Sequence, residues 1–148
     1  MAYSDLRKGR HSQSGLIYHV TTVTRGRTPF FASFDNGRKV VRELMALERE
    51  DRTETLCYVL MPDHLHWLVA LRQGELSDAV RLLKGRSARA IGSKVWQENY
   101  FDHAVRKDED MRAMARYIVA NPLRASLVEH IGDYPLWDAV WLDEALSG

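Results

Sequence analysis

Two histidines one residue apart, His64 and His66, are the side chains of this sequence whose types and spacing point most directly to chemistry. They lie in the run Met-Pro-Asp-His-Leu-His-Trp, in which Pro62 and Asp63 form a dipeptide typical of a turn. Side chains two positions apart on a strand point to the same face, with Cα atoms roughly 6.5 to 7 Å apart. The pair therefore predicts half of a metal site, and the alternative is two structural histidines on a strand.

Two histidines do not complete a metal site, because zinc needs four ligands, and magnesium or manganese six. Two further candidate site residues lie late in the chain. Tyr117 and Asn121 are four residues apart and would share one face of a helix. The side-chain oxygen of Asn121 is a candidate metal ligand; alternatively, Asn121 makes local hydrogen bonds at a helix end. Tyr117 is a candidate nucleophile if this face meets the histidines, and otherwise a packed aromatic residue with its hydroxyl at the surface.

The elements that must position these residues follow from hydrophobic periodicity and from breaker residues. The predicted strands cover residues 15–24, 54–61, 64–71 and 100–106, and the predicted helices cover residues 36–50, 77–91 and 108–121. We expect Ser77 to cap the second helix and Pro122 to end the third. The order β-α-β-β-α-β followed by a helix predicts an α+β fold with a ferredoxin-like antiparallel sheet. Both main helices would cover one face and the last helix the other, with an irregular tail.

The bulk composition is that of one ordinary globular domain. A chain of 148 residues is near the usual size of a domain, and no repeat or linker divides it, so we predict a single domain over residues 1–148. The longest apolar stretches are only a few residues, which excludes a membrane span. The single cysteine, Cys57, lies in an apolar run and indicates a core thiol in a reduced, cytoplasmic setting.

The net charge of +1 hides a polarised distribution. Residues 81–124 carry ten Lys and Arg against five acids, whereas residues 125–148 carry five acids and no base. A basic face, and with it a nucleic-acid partner, is therefore compatible with a total near zero. The alternative is an ordinary solvated helix surface.

Three segments resemble, in order, those of a known family. Tyr58–Val69, which contains both histidines, resembles the His-hydrophobic-His (HUH) segment of single-strand tyrosine transposases. Trp96–Val105 is similar to their strand before the catalytic helix, and Tyr117–Val128 to the catalytic-tyrosine helix, particularly of the REP-associated branch. Tyr134–Trp137 also fits that branch. The resemblance covers most of residues 15–141.

This resemblance implies a specific reaction. A tyrosine, by position Tyr117, attacks a DNA phosphate and gives a 5′-phosphotyrosine and a free 3′-hydroxyl. A Mg or Mn ion, held by His64, His66 and a helix side chain, polarises the scissile phosphate. Asn121 matches the position of that third ligand, where insertion-sequence members tend to carry Gln, a departure characteristic of the REP-associated branch.

The resemblance also implies single-stranded DNA with hairpin elements as the partner, no membrane, and action as a monomer or a homodimer. Basic residues near the predicted helices would line a DNA path: Arg81, Lys84, Arg86, Arg89, Lys94, Arg116 and Arg124. His103 could support the site from behind, contact DNA or be structural.

Two alternatives come from other functional classes. A domesticated ferredoxin-like module would bind DNA or RNA without cleaving it, and the His pair would be incidental. A zinc hydrolase would use His64 and His66 to activate water, which requires a third strong ligand and a general base and gives Tyr117 no role.

Overall fold

The computed structural model describes residues 16–106 and 110–140. Its strands are β1 (Ile17–Val23), β2 (Thr53–Met61), β3 (His64–Leu71), β4 (Phe101–Ala104) and β5 (Trp137–Ala139). Its α-helices are α1 (Phe34–Arg49), α2 (Leu76–Ile91), α3 (Met111–Val119) and the single turn α4 (Asn121–Arg124). The strands form one antiparallel sheet in the order β4-β1-β3-β2-β5. This order confirms the predicted ferredoxin-like α+β fold and extends it by one strand.

One face of the sheet packs on α1 and α2. Trp67 of β3 is fully buried on this face, and its indole N–H donates a hydrogen bond of 2.9 Å to the Thr55 hydroxyl of β2. The helices meet each other and contribute apolar side chains at helical spacing: Val40, Leu44 and Leu47 from α1, and Leu76, Val80 and Leu83 from α2. The alternation of β3 therefore sends Leu65 and Trp67 into the core and the histidines to the opposite face.

The second face is covered over only half of its width. Val59 of β2 and Leu68 of β3 lie on the same face as His66 and are fully buried, because α3 rests against β2 and β5. The other half, at β1 and β4, is more open, and Phe101 there is 63% exposed. The last main helix thus covers this face, as predicted, and leaves the histidines at the boundary between covered and open sheet. Among the described residues, no helix is long and apolar enough to cross a membrane.

The prediction of an irregular tail was wrong for β5. Trp137 pairs with Val59 at the outer edge of β2, and the Leu60 amide donates to the Leu136 carbonyl at 2.9 Å. The buried Tyr134 hydroxyl donates to the Leu60 carbonyl. A three-residue strand shows no alternation to detect, and it forms because the edge of β2 offers unpaired backbone groups.

Two helix ends also differ from the prediction. Ser77 lies inside α2, and the N-cap is Glu75, whose carbonyl accepts the Asp78 amide at 3.1 Å. Residues 108 and 109 of the predicted third helix lie outside the described residues, and α3 follows Asp110, whose carboxylate accepts the amides of residues 112 and 113. The predicted third helix reaches residue 121, whereas α3 ends at Val119, and Pro122 lies in the first turn of α4, a position that proline favours.

The burial of Cys57 leads to a labelling prediction. The thiol is 1% exposed, and burial raises its pKa to about 12, although a backbone hydrogen bond from Leu68 opposes the rise. Because the thiolate is the reactive form, we expect the folded protein to resist a thiol reagent such as Ellman's reagent, and the urea-unfolded protein to react at once. Equal labelling rates with and without urea would contradict the buried position.

Candidate active site

The two histidines adjoin one another on β3. The rings of His64 and His66 lie edge to face with centroids 4.9 Å apart, and both side chains are half-buried. The Nδ1 atom of each ring is in contact with a neighbouring polar group. His64 Nδ1 lies 2.7 Å from Oδ1 of Asp63, and His66 Nδ1 lies 3.1 Å from Nε2 of His19. The predicted shared face is confirmed, and both Nε2 atoms are left to act toward a ligand.

The contact with Asp63 selects the tautomer of His64. The Nδ1–H of His64 donates to the Asp63 carboxylate, so His64 Nε2 faces away from that contact. His66 Nδ1 lies within hydrogen-bond distance of His19 Nε2 and 3.3 Å from the Thr21 hydroxyl, and the tautomer in which His66 Nδ1 donates to His19 leaves His66 Nε2 with its lone pair. Metal-binding histidines typically hold their second ring N–H in this way, on a carboxylate or another acceptor. The donor set therefore fits a divalent metal at the two Nε2 atoms.

The electrostatics keep His66 neutral. Burial lowers its pKa to about 3, and electrostatic interactions with His64, His19 and Arg124 act in the same direction. For Asp63, burial would raise the pKa, but hydrogen bonds and charges from His64 and Arg27 lower it below its usual value. At neutral pH the His66 imidazole is thus neutral, and the Asp63 carboxylate that contacts His64 is ionised.

His19 is a site residue that the sequence analysis missed. It lies on β1, on the same face as His66, and the centroids of the two imidazole rings are 5.3 Å apart. The available signal was the alternation of polar His19 and Thr21 with apolar neighbours in the predicted first strand. His103 pairs directly with His19 across β4 and β1, and burial, followed by the charge of His103, lowers the pKa of His19. His103 thus stands behind His19, one strand further from His66.

Tyr117 lies at the surface beside an arginine. Its side chain is 66% exposed, and the guanidinium carbon of Arg124 lies 3.8 Å from its ring centroid. The charge of the same arginine acts on His66. Arg124, one of the predicted DNA contacts, thus lies against the tyrosine on α3, and its charge lowers the pKa of the histidine on β3.

Asn121 makes the local hydrogen bond that was the alternative for this residue. Its side-chain Nδ2 donates to the Ile118 carbonyl at 2.7 Å. That carbonyl would accept the N–H of residue 122 in a continuous helix, and Pro122 has none to give. Asn121 therefore replaces the missing backbone donor, and its side-chain oxygen is the atom that a metal could use.

A cluster of stronger ligands is absent from this part of the fold. Within residues 16–106 and 110–140, no three His, Cys, Asp or Glu side chains come together as a metal site. The zinc-hydrolase alternative requires such a third ligand. The described residues therefore give that alternative no support.

The predicted DNA contacts divide into two groups. Lys84 donates to the carbonyls of residues 97, 98 and 99 at 2.8, 3.3 and 3.0 Å, which uses all three N–H donors of its ammonium. Arg86 forms a two-point ion pair with Glu50 at 2.7 and 3.2 Å. Both side chains are thus engaged within the protein. Arg81 and Arg89 are exposed on α2, and Arg116 of α3 is half-buried.

Comparison with known proteins assigns the chain to a family. The family described as "Transposase IS200 like" matches residues 12–121, and the chain belongs to that family. A relative named REP-associated tyrosine transposase, from Escherichia coli (strain K12), is 30% identical over 95 residues, which are 62% of this chain and 58% of that protein. A relative from Haemophilus influenzae is 28% identical over 99 residues, 55% of this chain and 56% of its own length. The chain thus spans less than two thirds of both relatives.

A solved structure supports the fold. A REP-associated tyrosine transposase bound to a REP hairpin superimposes with a TM-score of 0.76 over 86% of this chain and 79% of that one, at 24% identity. At this level of identity the likeness establishes the shared fold.

Proposed function

We propose that this protein cleaves and rejoins single-stranded DNA as a tyrosine transposase, with Tyr117 as the nucleophile. The observation that carries the proposal is the position of Arg124. Its guanidinium stacks on the exposed Tyr117 ring at 3.8 Å, and its charge acts on His66. A tyrosine hydroxyl, a cation and two histidines are what transfer of a DNA phosphate to tyrosine requires.

In the proposed reaction, the Tyr117 oxygen attacks the scissile phosphorus and the bond from phosphorus to the 3′-oxygen breaks. The tyrosine loses its proton, the departing 3′-oxygen gains one, and a 5′-phosphotyrosine forms. Because this ester conserves the energy of the broken bond, attack by a 3′-hydroxyl reverses the step and rejoins a strand without ATP. Arg124 would hold the tyrosine ring and place positive charge beside the anionic phosphate.

A divalent ion, Mg or Mn, would be held by Nε2 of His64 and of His66, with the side-chain oxygen of Asn121 as the third protein ligand. Such an ion withdraws charge from the phosphate oxygens. Asp63 and His19 orient the two rings for it through the contacts of 2.7 and 3.1 Å. The low pKa of His66, which keeps that ring neutral, and the contact of His64 Nδ1 with Asp63 support the assignment.

The substrate would be single-stranded DNA that carries hairpin elements. Support comes from membership of the IS200-like family and from the related fold, whose structure was solved with a REP hairpin. Arg81, Arg89 and Arg116 remain proposed DNA contacts together with Arg124. The cytoplasmic location, the single domain and the choice between monomer and homodimer stay predictions.

The test is a search for the covalent adduct. The protein is incubated with labelled single strands that contain a hairpin and its flanks, with Mn²⁺ or with EDTA, and then run on a denaturing gel. We expect a labelled band at the mass of protein plus DNA fragment, formed with Mn²⁺ and absent with EDTA. Binding without any adduct would favour the non-cleaving module, and cleaved DNA without an adduct would favour hydrolysis.

His19 gives a separate prediction for the metal site. Replacing His19 with phenylalanine keeps an aromatic ring but removes the partner of His66 Nδ1. Loss of such a supporting contact typically weakens metal binding by about 10- to 100-fold. We expect that loss in a Mn²⁺ titration followed by electron paramagnetic resonance, and an unchanged affinity would show that His19 does not orient His66.

A further inference from the structure

A basic groove lies on the far side of the sheet edge from the histidines. It has a volume of about 1050 Å³ and runs between α2 and the segment of residues 94–100. Four of its lining residues are cations, against the single acid Glu98: Arg25, Arg81, Lys84 and Lys94. We refer to it as the α2 groove.

The walls of the α2 groove are fixed by contacts within the protein. Trp96 is 8% exposed, donates to the Ser87 hydroxyl at 2.9 Å and so holds its segment against α2. Lys84 fastens the same segment through three carbonyls. The Arg25 amide donates to the Val95 carbonyl at 2.9 Å. The groove is therefore preformed.

Three cations point outward from these fixed walls. Arg25, Arg81 and Lys94 are exposed. Arg81 pairs with Asp78 at 3.5 Å, and both side chains are well exposed, so phosphate can compete for the guanidinium. A preformed groove with exposed cations can bind a polyanion without rearranging its own walls.

The start of β4 adjoins the histidine face on one side and the α2 groove on the other. Phe101 pairs with Thr21 of β1, and Thr21 pairs with His66, so the Phe101 side chain lies on the histidine face. Tyr100, the preceding residue, lines the groove on the other side. β4 is the edge strand of the sheet, so a strand leaving the histidines reaches the groove by passing around this edge.

We propose that the α2 groove binds the phosphate backbone of the single DNA strand that continues from the histidine site, with Phe101 as a stacking surface for one base at the bend. Arg81 and Lys94 supply phosphate contacts, and Lys84 positions the wall. A charged groove combined with an exposed aromatic ring is the usual way in which proteins bind single strands without reading their sequence. The inference rests on the proposed function for the direction of the strand.

The first experiment measures the two phosphate contacts. Fluorescence anisotropy follows binding of a labelled oligo-dT of about 20 nucleotides in EDTA over a range of NaCl concentrations. Each phosphate contact to a single strand contributes about 0.7 to the slope of log affinity against log salt. Replacing Arg81 and Lys94 by alanine should therefore lower the slope by about 1.4 and weaken binding roughly 25-fold at about 0.1 M NaCl.

The matched control removes two exposed arginines from α1. The variant carrying Arg42→Ala and Arg49→Ala loses the same charge from another surface, and it should keep the wild-type slope. Thermal unfolding of both double variants should match the wild type, because these are surface changes. Equal losses in the two double variants would reduce the effect to net charge and overturn the inference, as would a wild-type slope in the groove variant.

The second experiment tests the stacking surface and the kind of DNA. Phe101→Leu should weaken single-strand binding by roughly 5- to 150-fold, the usual range for one stacked base. Unlabelled duplex of the same length should compete less well than the single strand. If Phe101→Leu binds like the wild type, or if duplex competes equally well, the single-strand track is wrong.

Because binding is measured in EDTA, its result does not depend on cleavage. Binding lost in the groove variant together with no covalent adduct in the wild type would leave the α2 groove standing and refute the proposed reaction. A covalent adduct in the wild type together with unchanged binding in the groove variant would support the proposed reaction and refute the role of the α2 groove.

Discussion

Replacing Tyr117 with phenylalanine is expected to abolish the covalent protein–DNA adduct completely. The substitution removes the hydroxyl oxygen that is proposed to form the phosphotyrosine ester, while the ring that stacks under Arg124 remains. Because the Tyr117 side chain is 66% exposed, its substitution should leave the free energy of unfolding within about 0.5 kcal/mol of the wild type. The measurement is the labelled band on a denaturing gel, with Mn²⁺ present.

The matched control is Tyr58→Phe. Tyr58 pairs with Trp67 on the opposite face of the sheet, so its hydroxyl cannot substitute for that of Tyr117. This variant should form the adduct at the wild-type level. An adduct that persists in Tyr117→Phe would transfer the nucleophile to another residue and end the proposed mechanism.

Replacing either His64 or His66 with alanine is expected to produce the second largest effect. Each change removes one of two proposed imidazole ligands, and a metal ion contributes several kcal/mol of charge stabilisation in phosphate chemistry. Adduct formation should therefore slow roughly a thousandfold. Mn²⁺ binding, followed by electron paramagnetic resonance without any DNA, should weaken in parallel, which separates a lost metal site from a lost DNA contact.

His130→Ala is the control for this pair, because His130 is an exposed histidine outside the site. It should bind Mn²⁺ like the wild type. Removal of His66 also disturbs packing, because its ring contacts His19, Thr21 and His64. His64→Ala removes only one hydrogen bond, that with Asp63, besides the ring contact with His66. Retained Mn²⁺ affinity in the folded His64→Ala variant would exclude the two-histidine site.

The sequence by itself determined the elements and the local half of the site. Alternation along a strand depends only on near neighbours, so the shared face of His64 and His66 and the burial of Trp67 could be predicted before any fold was known. The succession of alternating and helical patterns in turn determined the ferredoxin-like order. Resemblance to tyrosine transposases singled out Tyr117, which periodicity alone left as an ordinary surface aromatic.

Only the tertiary structure decided which distant residues meet. His19 reaches His66 from 47 positions away because β1 and β3 pair in one register, and a shift of one residue would send it to the other face. The turn after α3 likewise places Arg124 over the ring of Tyr117, seven positions earlier in the chain. The packing of α2 against residues 97–99 also engages Lys84 within the protein. Composition cannot reveal this, because a lysine is counted as one cation whether it is engaged or free.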